Sequence, residues 1–408
     1  MRIGIIEIGE PVPLEENVRF HRSLKFAKFL ASKGHEVVFW TSNFSHASKK
    51  FLTKDDYHQD WNGIKINYIH GTGYKKNVSF KRYLHEKDFS RKLISKLKND
   101  PGYDLFYLPV PTISAAFAAS KFCKKEEIPY VIDIVDRWPE AIFNLFPVYV
   151  RPLIKILLWN LTLKMRFICE NANAIWGCSK SYLAYGKSFV RNRQDILSYV
   201  YYLGYEKLNE NSSLVNKAIN NFKQKGIDPN DLNIFFVGTV GKFFNLGTVI
   251  EAAKEFKRSN KKIKFIIAGD GSSLNYYKNI SKDLDNIIYT GWINAPEIEA
   301  CMAMSSIGLA PYSENELFAM PNKPFEYMSG GLAIISSIQD ELPEILSKYK
   351  CGLTYKHDDV QSLISAISQY CNPMRLLDAQ HAALRLFNKK FTSDFLNQNA
   401  EYELKKIL

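Results

Sequence analysis

The residues best equipped for chemistry lie between Phe318 and Ala333, in the run Phe-Ala-Met-Pro-Asn-Lys-Pro-Phe-Glu-Tyr-Met-Ser-Gly-Gly-Leu-Ala. The apolar run Ile307 to Ala310 ahead of it reads as a buried strand, and the polar stretch Ser313 to Leu317 as a loop. Pro321, Asn322 and Pro324 predict a helix start with Asn322 as the cap, because proline is tolerated where the first amides lack internal partners. Glu326 is expected in the first turn. Gly330-Gly331 should end the helix before a new strand, Leu332 to Ile335. Free amides at a helix start, Lys323 beside them and a carboxylate one turn in suit a phosphorylated sugar. The amides and lysine can hold phosphate, and the carboxylate can accept hydrogen bonds from hydroxyls. The same residues would equally serve as a helix-dipole complement and a solvated lysine; the surrounding elements weigh between the two.

Those elements alternate. Leu232 to Val237, Ile263 to Ala268, Ile287 to Thr290 and Ile307 to Ala310 read as strands, separated by helical patterns over 246–257, 272–283 and 296–304. Such alternation predicts a parallel sheet covered by helices, with ligands outside the carboxyl ends of the strands. Glycine turns stand at three of those ends: Gly238 to Gly241 followed by Lys242, Gly269-Asp270-Gly271, and Gly291-Trp292. Each lets the backbone approach a ligand closely. Three in succession, in the half that carries Glu326, weigh far more than one. Helices over 358–387 and 393–408 complete this half.

The first half repeats the pattern. Strands are expected at Ile3 to Ile8, Glu36 to Trp40, Ile64 to Ile69, Leu105 to Leu108, Tyr130 to Val135 and Asn173 to Cys178, with helices over 17–33, 80–97 and 113–122. The loops to watch are Gly9-Glu10, Pro109-Val110-Pro111 and Asp136-Arg137-Trp138-Pro139. Asp136 is the best candidate for a catalytic or acceptor-binding group, unless it caps a helix opening at Pro139. Arg19 and Arg22 could face a phosphate or water, and His21 reads as a surface residue. No Gly-x-Gly-x-x-Gly follows the first strand, which argues against a nicotinamide or flavin dehydrogenase.

At 408 residues the chain suits two domains, divided in the polar region Glu206 to Ser213: 1–205, 206–390, and a terminal helix 391–408 that could cross back to the first domain. A net charge of +12 points to an anionic partner. The six cysteines are scattered without a C-x-x-C pair, favouring a reducing compartment over a disulfide framework or structural zinc. With no signal-peptide pattern and no apolar run long enough to span a bilayer, a cytoplasmic location is expected. The basic stretch Lys75 to Lys98, interleaved with aromatics, fits a helix on an anionic membrane or a solvated face. Leu153 to Ile168 fits either a membrane-facing or a core helix.

The ordered set Val237 to Gly241, Ala268 to Gly271, Tyr289 to Trp292 and Pro321 to Gly330 resembles the retaining glycosyltransferases of family 4. These are GT-B enzymes with two Rossmann-like, doubly wound α/β domains facing each other across a cleft. Gly34 to Val37 and Asp136 to Pro139 resemble a bacterial branch that builds surface polysaccharides. The resemblance implies that Glu326 binds ribose hydroxyls of a nucleotide-diphosphate sugar, and that Asn322 and Lys323, with Lys242, hold the diphosphate. It also implies that Gly9 and Glu10 close over the phosphates and that Gly291 and Trp292 meet the base. The sequence departs from the family at Phe318, where a second glutamate is usual (Glu314 and Glu316 are only nearby), at Thr239, where an arginine is usual, and at Val135-Asp136, where many members place histidine. Lys242 enters by charge alone.

The expected reaction is metal-independent sugar transfer to an acceptor saccharide, with no cofactor. A lipid-linked acceptor would fit the basic and apolar stretches, and nucleic acid is not an expected partner. Asp283-Leu284-Asp285, the one Asp-x-Asp, precedes a strand and reads as a solvated turn. Two rivals stand: a nucleotide-sugar epimerase of the same architecture, and a non-catalytic protein that binds anionic ligands.

Overall fold

A computed structural model of the protein describes residues 1–16, 18–191, 193, 195–207, 212–313 and 319–408. Asn17, Glu314, Glu316 and Phe318, which figure in the sequence reading, lie outside the described residues. The chain divides into two compact units. One comprises Met1–Tyr202 with Asn397–Leu408, and the other Leu203–Leu396.

The first unit is built on an eight-stranded sheet of β1 (Arg2–Ile6), β2 (Glu36–Ser42), β3 (Tyr57–Trp61), β4 (Ile64–Ile69), β5 (Leu105–Val110), β6 (Tyr130–Ile134), β7 (Ala174–Gly177) and β8 (Leu197–Val200). Its order is β3-β4-β2-β1-β5-β6-β7-β8, parallel except for the β3–β4 hairpin. Continuous apolar runs such as Leu105 to Val110 are buried throughout, as strands covered on both faces must be. β5 runs through Pro109 instead of stopping at Leu108. Its pairing with β1 covers only Leu105 to Tyr107, so the amide that Pro109 lacks is not needed by that neighbour. The β3–β4 hairpin closes on Asn62-Gly63, both at positive φ, a turn that matches strand twist. The first helix begins at Arg22, not at residue 17. Glu401 reaches His35 at 3.0 Å and Asn397 accepts from the Tyr201 hydroxyl at 2.5 Å, which ties the chain's last residues to this unit.

The second unit carries a six-stranded parallel sheet: β9 (Leu232–Val237), β10 (Ile263–Ala268), β11 (Ile287–Gly291), β12 (Ile307–Ala310), β13 (Ala333–Ser336) and β14 (Gly352–Thr354), in the order β11-β10-β9-β12-β13-β14. The helix Ser213–Gln224, capped by Ser212, and the pair Leu342–Tyr349 and β14 are additional to the sequence reading. The expected helix over 358–387 is two, Val360–Gln369 and Pro373–Lys390. Asn372 caps the second through the amides of Met374 and Arg375, and Pro373 fits only a first turn.

Both sheets wind outward in two directions from a central pair. In the first unit the chain runs β1 to β2 to β4 one way and β5 to β8 the other; in the second it runs β9 to β11 and then β12 to β14. The carboxyl ends of β1 and β5, and of β9 and β12, are therefore the switch points where open α/β sheets bind ligands.

Candidate active site

At the switch point of the second unit, the loop after β9 and the helix after β12 meet. A Cβ placed on Gly238 would lie 2.8 Å from the Lys323 Nζ, so the flexible end of the lysine lies close against the Gly238 backbone. The Lys323 ammonium sits 4.5 Å from the centre of the Phe244 ring, a cation–π contact. Phe244 packs on Phe236 at 5.0 Å and on Tyr312 at 4.8 Å.

The helix Asn322–Ser329 is anchored from beneath by Tyr327, whose hydroxyl donates to the Leu309 carbonyl at 3.0 Å and accepts from the Val237 amide at 3.3 Å. One side chain thereby fixes the helix to both central strands.

The start of this helix differs from the expectation. Pro321 takes the capping position with no side-chain bond, and Asn322 is the first helical residue, exposed. The asparagine therefore does not cap. Glu326 falls in the second turn, since no acidic residue stands in the first. It is buried, and after burial itself its charge is what pushes the Tyr312 hydroxyl pKa upward, so it lies within electrostatic reach of that ring. Gly330 and Gly331 end the helix as expected, Gly331 at φ +68°.

The three glycine turns stack on one another. The Gly238 amide donates to Ala268 O at 2.9 Å, and the Gly269 amide to Gly291 O at 2.8 Å. Gly269 has φ +133°, and a Cβ there would fall 1.8 Å from the Gly238 carbonyl oxygen. A Cβ on Gly271 would fall 2.3 Å from Val240 O, one on Gly241 would make ordinary contact with the Ser272 hydroxyl at 3.7 Å, and Gly291 faces open space. Trp292 is 71% exposed at the end of β11, and Lys242 is exposed with its ammonium over Phe243. Lys242 thus shares the Gly238 loop without joining the Lys323–Phe244–Tyr312 cluster. Asp285 is held by Lys257 at 2.9 Å, and the same lysine donates to the Asp283 carbonyl, at the amino end of β11 and away from these turns.

The switch point of the first unit is built from side chains. Gly9 has φ +110°, and Glu10 accepts from the Ser23 hydroxyl at 2.9 Å. The other Glu10 oxygen is buried without a hydrogen-bond partner among the described residues. Glu7, the residue immediately after β1, is buried; burial first and the Glu10 charge second hold its carboxyl pKa well above the ordinary value.

Arg22 faces neither water nor an open groove. It is buried, ion-paired with Asp133 of β6, bonded to the Tyr201 carbonyl and stacked 4.5 Å over the Tyr201 ring. Burial is the largest single influence and opposes its charge, but Asp133, Tyr107, Cys178 and Tyr201 together outweigh it and raise the guanidinium pKa. Tyr107 donates a second bond to Asp133.

Asp133, Glu7 and Tyr107 escaped the sequence reading. For Asp133 the signal was a carboxylate inside the apolar run Tyr130 to Val135, which can be buried only if paired. Asp136 does not cap the helix Glu140–Phe143. One oxygen accepts from the Arg137 amide at 2.8 Å and the other from the Trp138 indole at 2.9 Å. Burial raises its pKa. His21 is exposed, as read.

Residues 231–372, within the second unit, match the family model described as glycosyl transferases group 1. No curated protein matches the chain. Several solved structures share its fold over full length. Sucrose-phosphate synthase from Thermosynechococcus elongatus has a TM-score of 0.72 at 12% identity, covering 100% of this chain and 98% of that one. The trehalose-6-phosphate protein of E. coli bound with UDP-2-fluoro glucose scores 0.71 at 12% identity, covering 100% of both chains. HepE of Anabaena in complex with UDP scores 0.68 at 13% identity, covering 99% of both. The chain has the fold of the GT-B glycosyltransferases, with two Rossmann-like parallel-sheet units. Its second unit contains a group 1 glycosyltransferase domain.

Proposed function

We propose that the protein is a retaining glycosyltransferase that moves a sugar from a nucleoside-diphosphate donor to a hydroxyl of an acceptor saccharide, in the assembly of a surface polysaccharide or glycoconjugate. The observation that carries this reading is the meeting of Lys323, the first turn of the helix Asn322–Ser329 and the Gly238 backbone at a switch point. The two neighbours that hold UDP or a UDP sugar make uridine the first base to test.

In the reaction the bond between the anomeric carbon and the diphosphate oxygen breaks, and charge accumulates on the leaving diphosphate. Lys323 and the amino end of the helix meet that charge where it develops, without a metal ion. Glu326 holds ribose hydroxyls, and Asn322 and Lys242 lie at the exposed rim. Gly241, Gly269 and Gly271 give the donor a backbone floor, and Gly291 and Trp292 offer a surface for the base. In the first unit, Gly9 and Glu10 serve the phosphates. Asp136 acts on the acceptor side by holding Trp138, since both its oxygens already accept hydrogen bonds. The acceptor is lipid-linked, and the enzyme works on the inner face of the cell membrane.

The test is incubation of the pure protein with a panel of nucleotide sugars, with and without chelator, following slow donor hydrolysis. Hydrolysis of one UDP sugar, with binding lost in Glu326→Ala, is the expected result. No nucleotide affinity at all would end the proposal. Buried Glu7 and half-buried Glu10 favour a second reading as an epimerase, because each carboxyl pKa is raised toward the range useful for proton transfer. Recovery of an epimerised sugar from the same incubation would select it.

A further inference from the structure

The helix Arg151–Leu157 of the first unit has no buried residue, although most of its side chains are apolar. Leu153, Ile156 and Leu157, spaced to share one face, point into solvent, with Ile156 72% exposed. The turn before it presents Val148 at 71% and Tyr149 at 84%, and Trp159 and Leu163 follow on the next helix. Across an apolar groove of about 550 Å³ stand Val78 and, at the start of the helix Phe80–Lys98, Phe80 and Tyr83, with Phe80 72% exposed. The sequence left Leu153 to Ile168 open between core and surface; its first half is surface, and Met165 and Ile168 are core.

An exposed apolar patch of this extent marks a site of association. Its charge says with what. Between Glu140 and Glu170 there is no acidic residue, while Arg151, Lys155, Lys164 and Arg166 are present. Residues 74–85 likewise hold Lys75, Lys76, Lys81 and Arg82 and no acid. Among the described residues no helix is long and apolar enough to cross a membrane, so the patch cannot be part of a span.

We propose that this face rests on an anionic lipid bilayer, with Val148, Tyr149, Ile156, Leu157 and Trp159 entering the headgroup–acyl boundary and the lysines meeting lipid phosphates. A second copy of the chain is the poorer occupant. A two-fold contact would press this cationic rim against itself, whereas an anionic surface neutralises it. The proposal uses nothing from the donor site and stands or falls separately from it.

The full-length protein is mixed with phosphatidylglycerol-containing vesicles or with pure phosphatidylcholine vesicles and separated by flotation. Binding to the anionic vesicles, weakened by salt, is expected. The double variant Ile156→Glu with Leu157→Glu should lower the partition coefficient at least ~tenfold, because it removes apolar area and adds like charge to the lipid. Val148→Ser with Tyr149→Ser, in a separate element, should act in the same direction, with melting temperature and UDP affinity unchanged in both. No flotation with anionic vesicles, or equal flotation of wild type and variants, overturns the proposal. So does a dimer that the variants dissolve while leaving flotation intact.

Discussion

The two units place their candidate groups at the same kind of location, a sheet's switch point, and build that location by opposite means. The second unit uses backbone. Gly238 and Gly269 lie against each other where a Cβ on Gly269 would not fit, a helix presents its amino end, and one lysine lies close against Gly238. The first unit uses side-chain charge: Glu7, Glu10, Asp133 and Arg22 are brought together from β1, β6 and the first helix, held by Tyr107, Tyr201 and Ser23. A backbone site tolerates change at its rim and none at its contacts. A site of buried charges depends on every partner, since an orphaned charge in a dry interior is costly.

That contrast can be broken by substitution. The largest effect is expected from Asp133→Ala, which strands Arg22; unfolding should show a loss of about 3–5 kcal/mol. The paired change Arg22→Met with Asp133→Leu should recover most of it. If the single variant melts like wild type, the ion pair is not what holds the first switch point. Lys323→Glu should leave the melting temperature near wild type while lowering turnover by roughly 10²–10³-fold, the scale for removing a preorganised charge from a leaving group; near-normal turnover would take Lys323 out of the site. Gly269→Ala should cost about 2 kcal/mol or more in unfolding free energy, through strain at positive φ and collision with the Gly238 carbonyl. Ordinary stability there would mean that the turns are not stacked as described.

The smallest expected effect is pH dependence from His85. It is buried, its Nδ1 accepts from the Gly73 amide at 3.1 Å, and burial, outweighing all else, lowers its pKa from 6.5 to about 4. Between those values the unfolded chain binds a proton that the native imidazole refuses. Stability should therefore be full above pH 6.5 and decline as pH falls toward 4, by about 1–3 kcal/mol. His85→Gln should flatten that slope in part, because half-buried His46 is shifted the same way, also to about 4. An unchanged slope would place the acid sensitivity elsewhere.

Legibility follows the same division. Glycine and proline leave marks that do not depend on distant residues: Gly330-Gly331 ended its helix where read, and the turns at Gly238, Gly269 and Gly291 all fall at strand ends. The Asn62-Gly63 hairpin carried an equally local mark that went unused. Errors arose where local rules compete. Asn322 is a good cap by type, yet Pro321 before it takes that position. Arg22 looks like a solvated residue at a helix start, and becomes a buried one because Asp133, 111 positions later, lies beneath it.

What the amino-acid order determined by itself was the alternation of strand and helix, hence the fold class, and the backbone turns at the ends of the strands, because periodicity and glycine act within a few residues. Tertiary structure decided which charges are buried together, which face of residues 145–163 meets solvent, and that Lys323 fills the space beside Gly238. Those outcomes depend on sheet order, and sheet order is set by contacts between segments a hundred residues apart that no local pattern records.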